Sequence, residues 1–144
     1  MRELMMTHVI ARVEVVRTED GGRQTPMSAI RYRSDAFVEG SAGDEWISYV
    51  SFVGRPGIYK CSMAEPYRPP ATETEANLWL EVGSVYDVYL DLRYREGSER
   101  YFGKGQRFDI CEGYRTVAHV EITEVLSTAP ADQFVQAPRP DRRG

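Results

Sequence analysis

The sequence predicts an all-β fold. Short apolar stretches alternate with polar residues at a period of two, and turns bearing glycine, proline or charge separate them at short intervals. The chain has 144 residues, 42% of them apolar and 28% charged, which is the composition of one globular domain able to build its core without staples. Seven or so short strands joined in this way suit a closed antiparallel barrel or a sandwich, and periodicity does not choose between the two.

From His8 to Arg17, Val9, Ala11, Val13 and Val15 fall on one face with Arg12 and Glu14 opposite, the pattern of a half-buried strand. Thr18 to Pro26 is a polar loop in which Gly21-Gly22 supplies backbone freedom and Pro26 sits where no amide donor is needed. Ala29 to Val38 reads as a second strand with a basic face at Arg31 and Arg33, and Trp46 to Val53 as a third, aromatic and β-branched. Gly54-Arg-Pro-Gly57 is a turn leading to a fourth strand, Ile58 to Ala64. Glu65 to Ala76, with Pro66, Pro69 and Pro70, is an exposed loop with room for one helical turn near Ala71 to Asn77. Leu78 to Val82 is short and apolar. Val85 to Tyr94 alternates cleanly, with Tyr86, Val88, Leu90, Leu92 and Tyr94 inward and Asp87, Asp91 and Arg93 outward. Arg107 to Cys111 and Thr116 to Leu126 make the last pair, joined at Glu112-Gly-Tyr-Arg115; Ala118, Val120 and Ile122 share one face and His119, Glu121 and Thr123 the other. Val13, Val15, Val88, Leu90, Leu92, Phe108, Ile110, Val120 and Ile122 are the expected core. Residues 127–144 lose the pattern to proline, alanine and charge, which reads as a flexible tail.

Charge and composition exclude several classes. The formal net charge is −4; without the arginine-bearing last eight residues the body holds 15 basic and 21 acidic side chains, a net −6 that repels phosphate backbones at long range. No window is long and apolar enough for a membrane span, and the start carries no signal-peptide pattern, so a cytoplasmic protein is expected. Cys61 and Cys111 form no C-x-x-C motif and stand at no ligand spacing from His8 or His119, so they read as two free thiols, with no metal site. No phosphate-cradling G-x-x-x-x-G-K-[ST] loop occurs, which leaves nothing to hold a nucleotide.

Two segments carry a resemblance. Ala11 to Pro26, with Gly21-Gly-Arg-Gln-Thr-Pro26 and then Tyr32-Arg33, resembles the opening of the third, C-terminal β-barrel domain of translation elongation factor Tu, where a strand and an acidic loop lead into Gly-Gly-Arg-His-Thr-Pro. Gly105-Gln-Arg-Phe-Asp-Ile-Cys-Glu-Gly-Tyr-Arg-Thr-Val117, running on to Val125-Leu126, resembles that domain's closing hairpin. Val82-Gly-Ser84 is a weaker echo of a family turn. The resemblance covers about half the chain, in order and at both ends. It implies a closed antiparallel barrel of six to seven strands over residues 1–126, with an unmatched insertion at about 39–77 and with the strands Val9 to Val15 and Ala118 to Leu126 as neighbours.

The same resemblance implies where a partner would bind. In the family this domain contacts the T-stem of aminoacyl-tRNA through its closing hairpin and packs on protein partners. By position, Glu112 and Gly113 match the Glu-Gly of that hairpin. Three departures mark this chain: Cys111 replaces an arginine, Tyr114 replaces a glycine, and Gln24 replaces the histidine of the first loop. The lost cation weakens phosphate binding. Arg23, Gln24, Arg31, Arg33, Glu112, Gly113, Tyr114 and Arg115 form the candidate partner- or RNA-binding set. The expectation is a non-catalytic interaction module that binds a protein partner and needs no cofactor; the alternative is a tRNA-binding barrel in which arginines and Tyr32 and Tyr114 interleave. An enzyme is not expected, because no nucleophile motif or paired-carboxylate signature appears and His119 faces solvent.

Overall fold

The structure, a computed structural model, describes residues 4–30, 32–37, 46–57, 59–60 and 79–131. Among the described residues there are ten strands: β1 Leu4–Val15, β2 Met27–Ser28, β3 Arg33–Phe37, β4 Trp46–Phe52, β5 Gly54–Arg55, β6 Tyr59–Lys60, β7 Trp79–Leu80, β8 Val85–Arg95, β9 Arg107–Glu112 and β10 Arg115–Pro130. Six of them close into an antiparallel barrel in the order β1-β10-β9-β3-β4-β8. The four short strands make two small accessory sheets, β2 with β7 and β5 with β6.

β1 is the strand that zips the barrel. Valines at alternate positions favour extended backbone and place one apolar row inward. One edge of β1 pairs with β8 from Leu4↔Arg95 to Glu14↔Val85, and the other with β10 from Met5↔Pro130 to Val15↔Ala118. The expected pairing of the two terminal strands is therefore present. Irregularities at His8/Val9 and Ile10/Ala11 put extra residues into β10, Leu126 and Thr123, and add local bend where the sheet curls.

All nine residues expected in the core are buried. They are joined by Val9, Ala11, Val50 and Phe52 from the walls and by Phe102, whose ring packs on Tyr94 at 4.8 Å and on Phe108 at 6.1 Å. Met27 and Leu80, cross-strand partners in the small β2–β7 sheet, complete the core.

Several boundaries differ from the sequence expectation. The second strand is broken: β2 and β3 flank a turn at Ala29–Ile30 whose residues are buried, and Val38 lies outside the described residues. Of the fourth, Ile58 to Ala64, only Tyr59–Lys60 is described, and it is strand, paired with β5 around Pro56-Gly57, where Gly57 has φ +80°; residues 58 and 61–64 lie outside the described set. β4, inside the stretch 39–77 with no family counterpart, is a barrel wall between β3 and β8. Residues 39–45, 58 and 61–77 lie outside the described residues, as does Cys61. Toward the end of the chain, Ser127 to Pro130 are strand and not tail. The reason is a hydroxyl relay that runs from the interior to the surface: Thr7 bonds the buried Tyr94 at 2.5 Å and the exposed Thr128 at 3.0 Å, which rewards continuing β10 past Leu126. Residues 132–144 are outside the described set.

Asp91 faces outward as expected but is buried, because it hydrogen-bonds His8 directly across the β1–β8 ladder. Tyr89 stacks on His8 at 5.7 Å. Neither motif nor spacing announces this pair; only the register of two strands 83 positions apart brings it together.

Leu90 is fully buried between β1 and β4 on the inner face. Leu90→Ala is expected to cost ~2–5 kcal/mol through lost apolar contact and the cavity left behind, read as a shift in the urea midpoint at constant slope.

Candidate functional site

The two family-like segments meet at one end of the barrel. After β1, a 3-10 turn at Thr18–Asp20 reverses the chain, and Gly21 takes the left-handed conformation with φ +94°. A side chain on Gly22 would lie 2.2 Å from the Val16 carbonyl oxygen, so only glycine lets the loop fold this closely on β1. Thr18 Oγ1 donates to the Arg23 carbonyl at 2.6 Å and fixes where Arg23 departs.

From there Arg23 spans the barrel end. Its Nη1 donates to Glu112 Oε2 at 2.7 Å and its Nη2 to Thr25 Oγ1 at 3.1 Å, while its guanidinium lies over the Tyr32 ring, 5.2 Å from the centroid. The Tyr32 hydroxyl donates to the same Glu112 Oε2 at 2.5 Å, and its ring packs edge-on against the buried Phe52 at 5.2 Å. Burial first, and the Glu112 carboxylate second, push the Tyr32 hydroxyl far above the ordinary tyrosine value. One carboxylate thus collects a cation and a neutral donor from two separate segments, and fastens the first loop to the closing hairpin. Ser34 Oγ adds a bond to the Cys111 carbonyl at 2.7 Å.

Beyond this clasp the hairpin tip projects. Gly113 has φ +63°, Tyr114 is fully exposed, and Arg115 is exposed with no ion pair among the described residues. Tyr114 does not fold over the barrel mouth. Asp20, Gly21, Glu112, Tyr114, Arg115 and Thr116 line a shallow open groove beside the tip.

Of the candidate residues, the structure brings Arg23, Glu112, Gly113, Tyr114 and Arg115 into one area. Gln24 is exposed on the first loop, and Arg33 is exposed on β3, paired with Ser51 of β4. Arg31 lies outside the described residues. Arg23 is engaged by Glu112, and Tyr32 is half-buried beneath it, so neither presents an open face for a base or phosphate. From the sequence, no clasp between these residues is expected: Arg23 and Glu112 stand there as binding candidates, and Tyr32 outside that set, in the tRNA alternative. The signal for Tyr32 was the Tyr-Arg of the resemblance, but only the fold shows that its hydroxyl reaches Glu112.

Cys111 is a buried free thiol whose ionisation burial pushes up, with Sγ 3.6 Å from Thr116 Oγ1. His119 is exposed on the outer wall as expected and bonds Asp109 at 2.7 Å. Among the described residues no cluster of three or more His, Cys, Asp or Glu could hold a metal ion, and no helix is long and apolar enough to cross a membrane. Compared with known proteins, the chain matches no family model and no curated protein.

Removing the shared acceptor with Glu112→Ala leaves two donors without their partner and is expected to cost ~1–3 kcal/mol in a denaturation experiment. The raised Tyr32 value also sets a pH dependence. A group that holds its proton more tightly when folded adds stability below its unfolded value of about 10, and that stability is lost as pH rises above it. Wild type should therefore lose stability above pH ~10 more steeply than Tyr32→Phe, measured by thermal unfolding across the alkaline range.

Proposed function

We propose that this chain is a non-catalytic β-barrel interaction module that docks a protein partner on its closing hairpin, with Tyr114 as the anchor and Arg115 beside it. The observation that carries the reading is the full exposure of Tyr114 on a two-residue tip whose base is fastened by the Arg23–Glu112–Tyr32 clasp. An aromatic next to an arginine is the usual composition of an interface hot spot. Because the clasp fixes the hairpin before any partner arrives, little ordering entropy is lost on binding. The resemblance to the C-terminal domain of elongation factor Tu supports a cytoplasmic role linked to translation, with the hairpin as the inherited contact surface.

An RNA-binding role is the weaker reading. Of the cations in the candidate set, Arg23 is neutralised by Glu112, and the chain as a whole is acidic, so few free positive charges remain to meet a phosphate backbone.

The test is a Tyr114→Ala, Arg115→Ala double variant in affinity capture, with unfolding followed in parallel. Both side chains are exposed, so stability should stay within ~0.5 kcal/mol of wild type while the captured partner is lost. Loss of stability with the partner retained would make the hairpin purely structural. Bulk tRNA should give no gel shift at physiological salt; a shift that weakens steeply with salt would favour the RNA reading instead.

A further inference from the structure

Among the described residues, the far half of β10 is an open sheet edge. β9 pairs with β10 only from Arg115 to Glu121, and the neighbouring turn closes that contact through Gly105 N–H to Ile122 O at 2.7 Å and Ile122 N–H to Gln106 O at 2.9 Å. From Thr123 to Pro130, β10 keeps β1 on one side, and no described strand pairs on the other. Thr123 to Thr128 are all exposed, six residues in succession, including Val125 at 39% and Leu126 at 38%. Natural sheet edges are commonly blunted by lysine, proline, inward charge or a β-bulge. Thr123 to Pro130 contains no lysine or arginine, its single charge is Glu124, and its one proline is the last residue; the bulges at Thr123 and Leu126 bend the edge and restrict any pairing to a short stretch.

This edge is complementary to itself. Glu124 stands opposite Ile10 and Ser127 opposite His8, so both lie on the outer face although three positions apart; Leu126 is the extra residue of the bulge between them. Antiparallel pairing of two copies about the midpoint between Val125 and Leu126 sets Glu124 of one copy beside Ser127 of the other, where the hydroxyl can donate to the carboxylate. It also sets Val125 of each copy beside Leu126 of the other, and brings no like charges face to face.

We propose that this free edge pairs with the same edge of a second copy of the chain, joining two barrels in a two-fold dimer through one continuous sheet. The dimer is independent of the hairpin reading, since Tyr114 lies at the opposite end of the β9–β10 ladder and stays accessible. Six paired residues span only ~20 Å. That contact is smaller than the ~800 Å² per partner of a standard interface, so the dimer forms and dissociates with concentration.

Sedimentation velocity over the micromolar to tenth-millimolar range should show wild type moving from monomer to dimer mass. Val125→Lys and Leu126→Glu, each setting a charge against an apolar neighbour, should weaken association by about tenfold or more while circular dichroism and the thermal transition stay unchanged. An equimolar mixture of the two variants should dimerise again. In the mixed dimer the ammonium introduced by Val125→Lys on one copy meets the carboxylate introduced by Leu126→Glu on the other, and the second contact keeps its native Leu126 and Val125. A wild type that stays monomeric throughout overturns the proposal and leaves the edge to an extended peptide from another protein. A dimer indifferent to both variants, or a mixture that stays monomeric, overturns it equally.

Discussion

The barrel depends on β1 being paired on both edges. Its eleven-position ladder with β8 and its ladder with β10 close the sheet, and without them β10-β9-β3-β4-β8 would be an open sheet with two long edges. The inward row of Val9, Ala11, Val13 and Val15 makes the closure favourable, because those side chains lose water only when the cylinder is complete. The terminal hydroxyl relay of Thr7, Tyr94 and Thr128 ties the same three strands together at one end of the barrel.

At the other end the Arg23–Glu112–Tyr32 clasp has a comparable role between loop and hairpin. It explains why Gly21-Gly-Arg and Glu112-Gly form a unit although they lie far apart in sequence: the two glycines let the loop come close enough for the guanidinium to reach, and the glutamate receives it. Residues that resembled a binding motif are thereby divided between two tasks. Arg23, Tyr32 and Glu112 hold the scaffold, and Tyr114 and Arg115 are left facing outward.

The all-β class and the core were legible because period-two alternation is a direct record of which side faces inward; Val88, Leu90 and Leu92 are the plainest case, whereas periodicity left barrel and sandwich undecided. Boundaries were less so. The break between Met27–Ser28 and Arg33–Phe37 carries no glycine or proline, so nothing local announces the Ala29–Ile30 turn. The extension of β10 through Pro130 rests on Thr7 and Tyr94, which a local reading of Ser127-Thr-Ala-Pro130 does not include. In the site, the exposure of Tyr114 followed from its place in a hairpin turn. The pairing of Arg23 with Glu112 and the buried His8–Asp91 contact are long-range: the close fold of the Thr18–Pro26 loop on β1 sets the first, and strand register the second.

The closure of β1 on β10 also sets an order of events during synthesis. Thr7 and Thr128 are 121 positions apart, so β1 leaves the ribosome long before the residues that satisfy one of its two edges. Until then β1 can pair with β8 alone, and the apolar row of its four inward residues stays incompletely covered. The barrel therefore cannot close along with the synthesis of its own strands; it closes once β10 has emerged. In that interval the nascent protein exposes a valine-rich edge, the kind of surface that holding chaperones recognise.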